Sequence, residues 1–157
     1  MNTKQICMKA FSRISMLSKL KYAGIGRSDL LTIYKLFIRS VTEYCSVVFH
    51  TSLTLDQSNK MEVIQKTCLK IILDKDYIDY QSALELCSIV TLSKRRQDRL
   101  IRFSLKCIND KFNKNIFPVN ENSHNRDSYV VNFARTSKYL KSAVPQCQRL
   151  LNKIVNS

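Results

Sequence analysis

The chain has 157 residues, with 26 Lys or Arg against 12 Asp or Glu and a formal charge of +14. A 45% apolar content supports a core and excludes wholesale disorder, while two glycines and two prolines exclude collagen-like, linker-like and phosphate-loop architectures. No apolar run approaches the ~20 residues that cross a bilayer, and the positive excess makes an anionic partner the first expectation, nucleic acid ahead of a membrane surface.

The periodicity predicts an almost wholly helical chain. From Thr3 to about Lys21, Ile6, Ala10, Ile14 and Leu17 share one helical face with Lys9 and Arg13 at its edge, and Gly24 and Gly26 end the helix. Ser28 or Asp29 is expected to cap a second helix, whose Leu30, Tyr34, Phe37, Val41, Tyr44 and Val48 step by fours and threes as its buried stripe. A third helix, from near Thr54, turns Met61, Ile64, Cys68 and Ile72 inward. Residues 1–75 therefore read as a three-helix bundle with short connections. An acidic break follows, Asp74 to Asp79, then a short helix around Gln81 to Cys87. Ser93 is expected to cap a long helix from Lys94 to about Lys111. Its Leu100, Ile101, Phe103, Leu105, Cys107 and Ile108 go well round the cylinder, which predicts heavy packing. Residues 113–127, with Pro118 and five asparagines, read as a polar loop, and Tyr129–Val131 as a short strand or extended piece. A last helix is expected from Pro145, carrying Leu150, Leu151 and Ile154. The predicted class is all-α: a three-helix bundle, then a basic helical extension over 76–157, with little or no strand.

The chemistry available for catalysis is sparse. Cys7, Cys45, Cys68, Cys87, Cys107 and Cys147 lack Cys-x-x-Cys spacing, and neither His50 nor His124 has a cysteine at zinc-ligand distance in sequence. The cysteines read as reduced, mostly buried thiols of an intracellular protein, nuclear or cytoplasmic, rather than as a disulfide framework. Asp74, Asp76 and Asp79 are the only close acidic cluster; without the Gly turn and bidentate Glu of a calcium loop they read as a solvated helix end. No adjacent Asp-Asp occurs to hold two metal ions for phosphoryl transfer. The expectation is no catalytic site, no metal and no cofactor. The first 28 residues, with six basic residues, several serines and no acid, also match the composition of a mitochondrial presequence, but their apolar face runs into the bundle without a break.

The basic residues are uneven. Residues 1–40 carry +7, 41–93 carry −3 and 94–157 carry +10. Arg95, Arg99, Arg102 and Lys106 fall at steps of four, three and four, one stripe down a helix that can meet successive phosphates. An ordinary solvated face, with Asp98 and Arg102 as an i,i+4 pair, is the plainer alternative. Lys35, Arg39, Lys66 and Lys70 are the supporting phosphate contacts. Among seven tyrosines, Tyr34 and Tyr44 lie on the apolar stripe and read as core, whereas Tyr129 and Tyr139 are the candidates for base stacking.

Several strings also resemble a known family. Residues 36–50, LFIRSVTEYCSVVFH, resemble the "lIRpvlEYas.vWh" helix of reverse transcriptases from non-long-terminal-repeat (LINE and jockey-like) retrotransposons. Met61 to Lys66 with Leu69 to Ile72 resembles "lErvQkra.rii". Tyr80, Ala83 to Leu86, Thr91, Leu92, Arg95, Arg96, then Ala134 to Thr136, Tyr139, Ser142 to Pro145 and Arg149 to Asn152 continue the same template in order. Ser40 stands where the family usually has Pro, and Phe49 where it has Trp. The resemblance implies a thumb-like bundle over 1–75 and a C-terminal extension, lacking fingers and palm. It implies sequence-tolerant gripping of RNA or an RNA–DNA duplex beside a palm that does the chemistry. Such a chain would not itself be an enzyme; the alternative it leaves open is a helical interaction module docking onto a palm-containing polymerase chain.

Overall fold

The computed structural model describes residues 3–110, 114–120 and 129–156. The fold is all-α: among the described residues there is no strand, only an isolated antiparallel bridge between Val119 and Tyr129. Expectations for His124 and most of the polar loop lie outside the described residues.

Two compact units are present: one from residues 1–44 and 54–95, the other from 45–53 and 96–157. This differs from the division at residue 75 expected from sequence. The acidic break after Leu73 interrupts a helix without interrupting a core, because the segment beyond it returns to the same helix.

In the first unit, α1 (Thr3–Tyr22) buries Ile6, Ala10, Ile14 and Leu17, the four positions its periodicity selects. Gly24, at φ +84, ends it in the left-handed region that favours glycine. α2 (Arg27–Ile33) is entered through Gly26 with no side-chain cap, so neither Ser28 nor Asp29 takes that role. It continues as a π-helical turn, Tyr34–Ile38, into α3 (Arg39–Glu43). The wider π turn carries the buried stripe on by one position. Leu30, Tyr34, Ile38 and Thr42 are buried, and Phe37 and Tyr44, expected inside, are exposed. α3 stops at Tyr44, whose ψ of 126° leaves the helical region, and Cys45 follows at φ 52. Val48, the last position of the expected stripe, is exposed as well.

α5 (Leu55–Leu73) opens on a reciprocal capping box: Thr54 Oγ1 accepts from Gln57 N–H, and the Gln57 side chain accepts from Thr54 N–H. It buries two adjoining faces. Ile64, Cys68 and Ile72 join the core of α1 and α2, while Leu69 and Leu73 pack with Ala83, Leu84 and Cys87. Those last residues lie on or just after α6 (Tyr80–Leu86), which Asp79 caps by accepting from Ser82 N–H at 3.0 Å. α7 (Leu92–Asn109) begins with Thr91 Oγ1 accepting from Lys94 N–H at 3.2 Å, so Thr91 rather than Ser93 supplies the cap. Its first turn is further held by Glu62, whose carboxylate accepts from Leu92 and Ser93 N–H.

The second unit contains α4 (Ser46–Phe49), the rest of α7, a short α8 (Ser137–Leu140) and α9 (Ala143–Val155). Leu100 and Cys107 from α7 pack with Phe117, Cys147 and Leu151. Phe103 and Leu105 are exposed, so α7 is not packed all round. α9 starts two residues before Pro145, which still falls within the first turn where its missing N–H leaves no helical bond unmade. The extended piece near Tyr129 has a helix as its neighbour in place of a second long strand. The Asn152 amide accepts from Tyr129 N–H at 2.7 Å and donates to Tyr129 C=O at 2.9 Å, and Gln148 accepts from Asn132 N–H and donates to Ile116 C=O. Two side chains one turn apart on α9 thereby satisfy backbone that a sheet would otherwise pair.

Candidate nucleic-acid interface

The eight basic residues selected from sequence take different roles. Arg99, Arg102 and Lys106 are exposed on α7 within the second unit. Arg95 belongs to the first unit and is turned to protein: its Nε and Nη2 donate to the two carboxylate oxygens of Glu43. Glu43 is only 3% exposed, and Arg39 Nε approaches it at 3.8 Å. A buried carboxylate needs compensating charge, and Arg39 and Arg95 provide it. The i,i+4 spacing of Arg39 and Glu43 is visible in the sequence; the 52-residue separation of Glu43 and Arg95 is not. Arg96, which the charge pattern alone did not single out, is 1% exposed.

Lys66 and Lys70, one turn apart on α5, lie over the rings of Tyr80 and Tyr77 at 4.9 and 5.4 Å from the centroids. Both are exposed, so each keeps an ammonium face toward solvent while its other side rests on an aromatic. Lys35 is half-buried and close enough to Cys87 to offset part of the rise that burial imposes on that thiol.

Of the tyrosines offered for stacking, Tyr129 is partly buried against the second core, its backbone tied to Asn152. Tyr139 is exposed at the edge of α8, between Arg135, Lys138 and Lys141, all exposed. Phe133, 86% exposed and two residues before Arg135, was not selected from sequence. No helical repeat in the sequence marks it. Tyr44 is 61% exposed rather than core.

The acidic run is used structurally. Asp76 pairs with Arg27, and hydrogen bonds from Ser82 hold the Asp79 carboxyl below its ordinary range. All six cysteines are free, four of them buried; burial pushes the Cys68 thiol up to about 12. Among the described residues no three His, Cys, Asp or Glu side chains converge as metal ligands, and no helix is long and apolar enough to cross a membrane. The chain matches no family model, no curated protein and no solved structure.

Proposed function

We propose that this chain binds the backbone of nucleic acid, RNA or an RNA–DNA duplex, without sequence preference and with no reaction of its own. In this reading it is the template–primer grip of a non-long-terminal-repeat retrotransposon reverse transcriptase, whose chemistry belongs to a palm outside these 157 residues. The observation that carries the reading is the exposure of Arg99, Arg102 and Lys106 at helical spacing on α7. They sit in a unit with 12 basic and 4 acidic residues, where cationic side chains reach solvent and can displace counterions from phosphates. The ordered sequence likeness from Leu36 to Asn152 supports the same assignment.

The test is a salt series of affinities for an RNA–DNA duplex. Arg99→Gln, Arg102→Gln and Lys106→Gln together should weaken binding and flatten the log–log slope by about one per lost phosphate contact. Unchanged affinity and slope would remove the assignment. Primer extension by the purified chain should give no product; incorporation would overturn the claim that it has no reaction of its own.

A second reading has its own observation. A groove of about 590 Å³ on the first unit is lined by Cys7, Met8 and Phe11 of α1 and Val63 of α5, among others, with Met8 and Phe11 exposed. Such a surface suits docking onto a palm-containing chain. Concentration-dependent self-association that Met8→Lys abolishes would favour it over direct nucleic-acid binding.

A further inference from the structure

A second opening on the first unit, a cleft of about 470 Å³, is lined by Lys9 and Arg13 of α1 and by Ser40, Val41 and Tyr44. Lys9 and Arg13 are one turn apart. Lys9 is exposed, and Arg13 Nη1 donates to the Phe37 carbonyl. That bond fixes one corner of the guanidinium and leaves its other donors without a protein partner among the described residues. No carboxylate lines the cleft. Glu43, adjacent to Tyr44 in the chain, is turned instead to Arg39 and Arg95. Tyr44 lies where the helix ends, its ψ of 126 followed by the left-handed Cys45, and it lines the cleft while 61% exposed.

Two cations and a hydroxyl beside an exposed aromatic ring offer complementary surfaces to a phosphate and to a flat base. We propose that this cleft holds one nucleotide unit of a single nucleic-acid strand, its phosphate on Lys9 and Arg13 and its base against Tyr44. A duplex keeps its bases stacked on one another, so only an unpaired strand can offer a base face to the ring. An acidic peptide would engage the cations and leave the ring unused. The proposal rests on the nucleic-acid reading above but uses none of the α7 residues.

The experiment titrates the full chain with a labelled single-stranded RNA and with a duplex of equal length, over a range of salt. Tyr44→Leu should weaken single-strand binding by about tenfold or more and leave duplex binding unchanged. Lys9→Gln should lower the single-strand salt slope by about 0.7. Protection of Lys9 from acetylation by the bound single strand reads the same contact in the unaltered chain, and would decide the matter if Tyr44→Leu did not fold. Parental affinity and slope in both variants, with Lys9 unprotected, would overturn the cleft assignment; loss of duplex binding in the α7 triple variant would show the general reading still stands. If the parent chain bound neither strand form, both would fall. Displacement of the RNA by polyglutamate, with Tyr44→Leu silent, would overturn the cleft in favour of an acidic peptide.

Discussion

Gln65 is a position at which a single change reaches several elements of the first unit. It is fully buried on α5, and its amide links three elements. Its Oε1 accepts from the Tyr34 hydroxyl, and its Nε2 donates to Tyr80 Oη at 2.9 Å and to the Val90 carbonyl at 3.1 Å. Tyr80 in turn donates to Glu62 at 2.6 Å, the carboxylate that holds the first turn of α7. Gln65→Leu keeps the volume and removes both amide functions. The Tyr34 hydroxyl, on a residue 1% exposed, then loses its acceptor, which costs about 1–3 kcal/mol. Val90 C=O lies on a residue nearly half exposed and can turn to water, and Tyr80 keeps Glu62, so these add less than about 1 kcal/mol between them. The net loss is about 2 kcal/mol, which at an m-value of about 2 kcal/mol/M lowers the urea midpoint by about 1 M. Adding Tyr34→Phe removes the orphaned hydroxyl, so the double variant should recover about 1 kcal/mol relative to the sum of the single losses. Equilibrium urea unfolding of the four proteins, followed by far-ultraviolet circular dichroism, measures this cycle. Strict additivity, or a Gln65→Leu midpoint equal to the parent's, would refute the argument that a connected buried network organises these helices.

Other consequences follow from particular contacts. Glu43→Gln should destabilise the chain by about 2 kcal/mol in the same urea assay, below the ~3–5 kcal/mol of a fully buried broken pair, because Arg95 and Arg39 keep 29% and 16% of their side-chain surface. The His50 imidazole is pushed below its ordinary 6.5, first by burial and then by the Arg96 charge. The unfolded chain therefore binds the proton first, and stability should fall as pH drops through 6.5 toward the folded-state value. Thermal melts at pH 7.5 and pH 5.5 should differ more for the parent than for His50→Asn, and equal differences would refute the assignment. With burial lifting the Cys68 thiol to about 12 and Cys45 exposed, thiol labelling at neutral pH should modify Cys45 first and leave Cys68 unreacted until unfolding, as peptide mass mapping would report.

Where a helix runs without a change of period, its periodicity was enough. Ile6, Ala10, Ile14 and Leu17 of α1, and Met61, Ile64, Cys68 and Ile72 of α5, are buried as their spacing predicts. The Thr54 start and the Gly24 stop follow from capping and left-handed geometry that act within a few residues. The stripe of α2 failed beyond Tyr34 because a π turn changes the period itself, and no residue type announces one. The same shift put Tyr44 at the surface, and with it the aromatic wall of the cleft.

The phosphate-contact candidates divide along the same line. Exposed Arg99, Arg102 and Lys106 were legible because charge at helical spacing on an amphipathic helix points away from the core. The charge of Arg95 carried no sign that it answers a carboxylate 52 residues earlier, and Phe133 had no periodic context to mark it. By itself the sequence determined what is local: helix class, most buried faces, the Thr54 start and the Gly24 stop, the +14 charge and its concentration toward the two ends. Only the tertiary structure decided which cations are spent on Glu43, which tyrosines reach solvent, and that residues 45–53 join the unit that follows Arg95. Those outcomes depend on which distant group a side chain meets. Desolvation and charge pairing act through space, at separations that spacing along the chain does not encode.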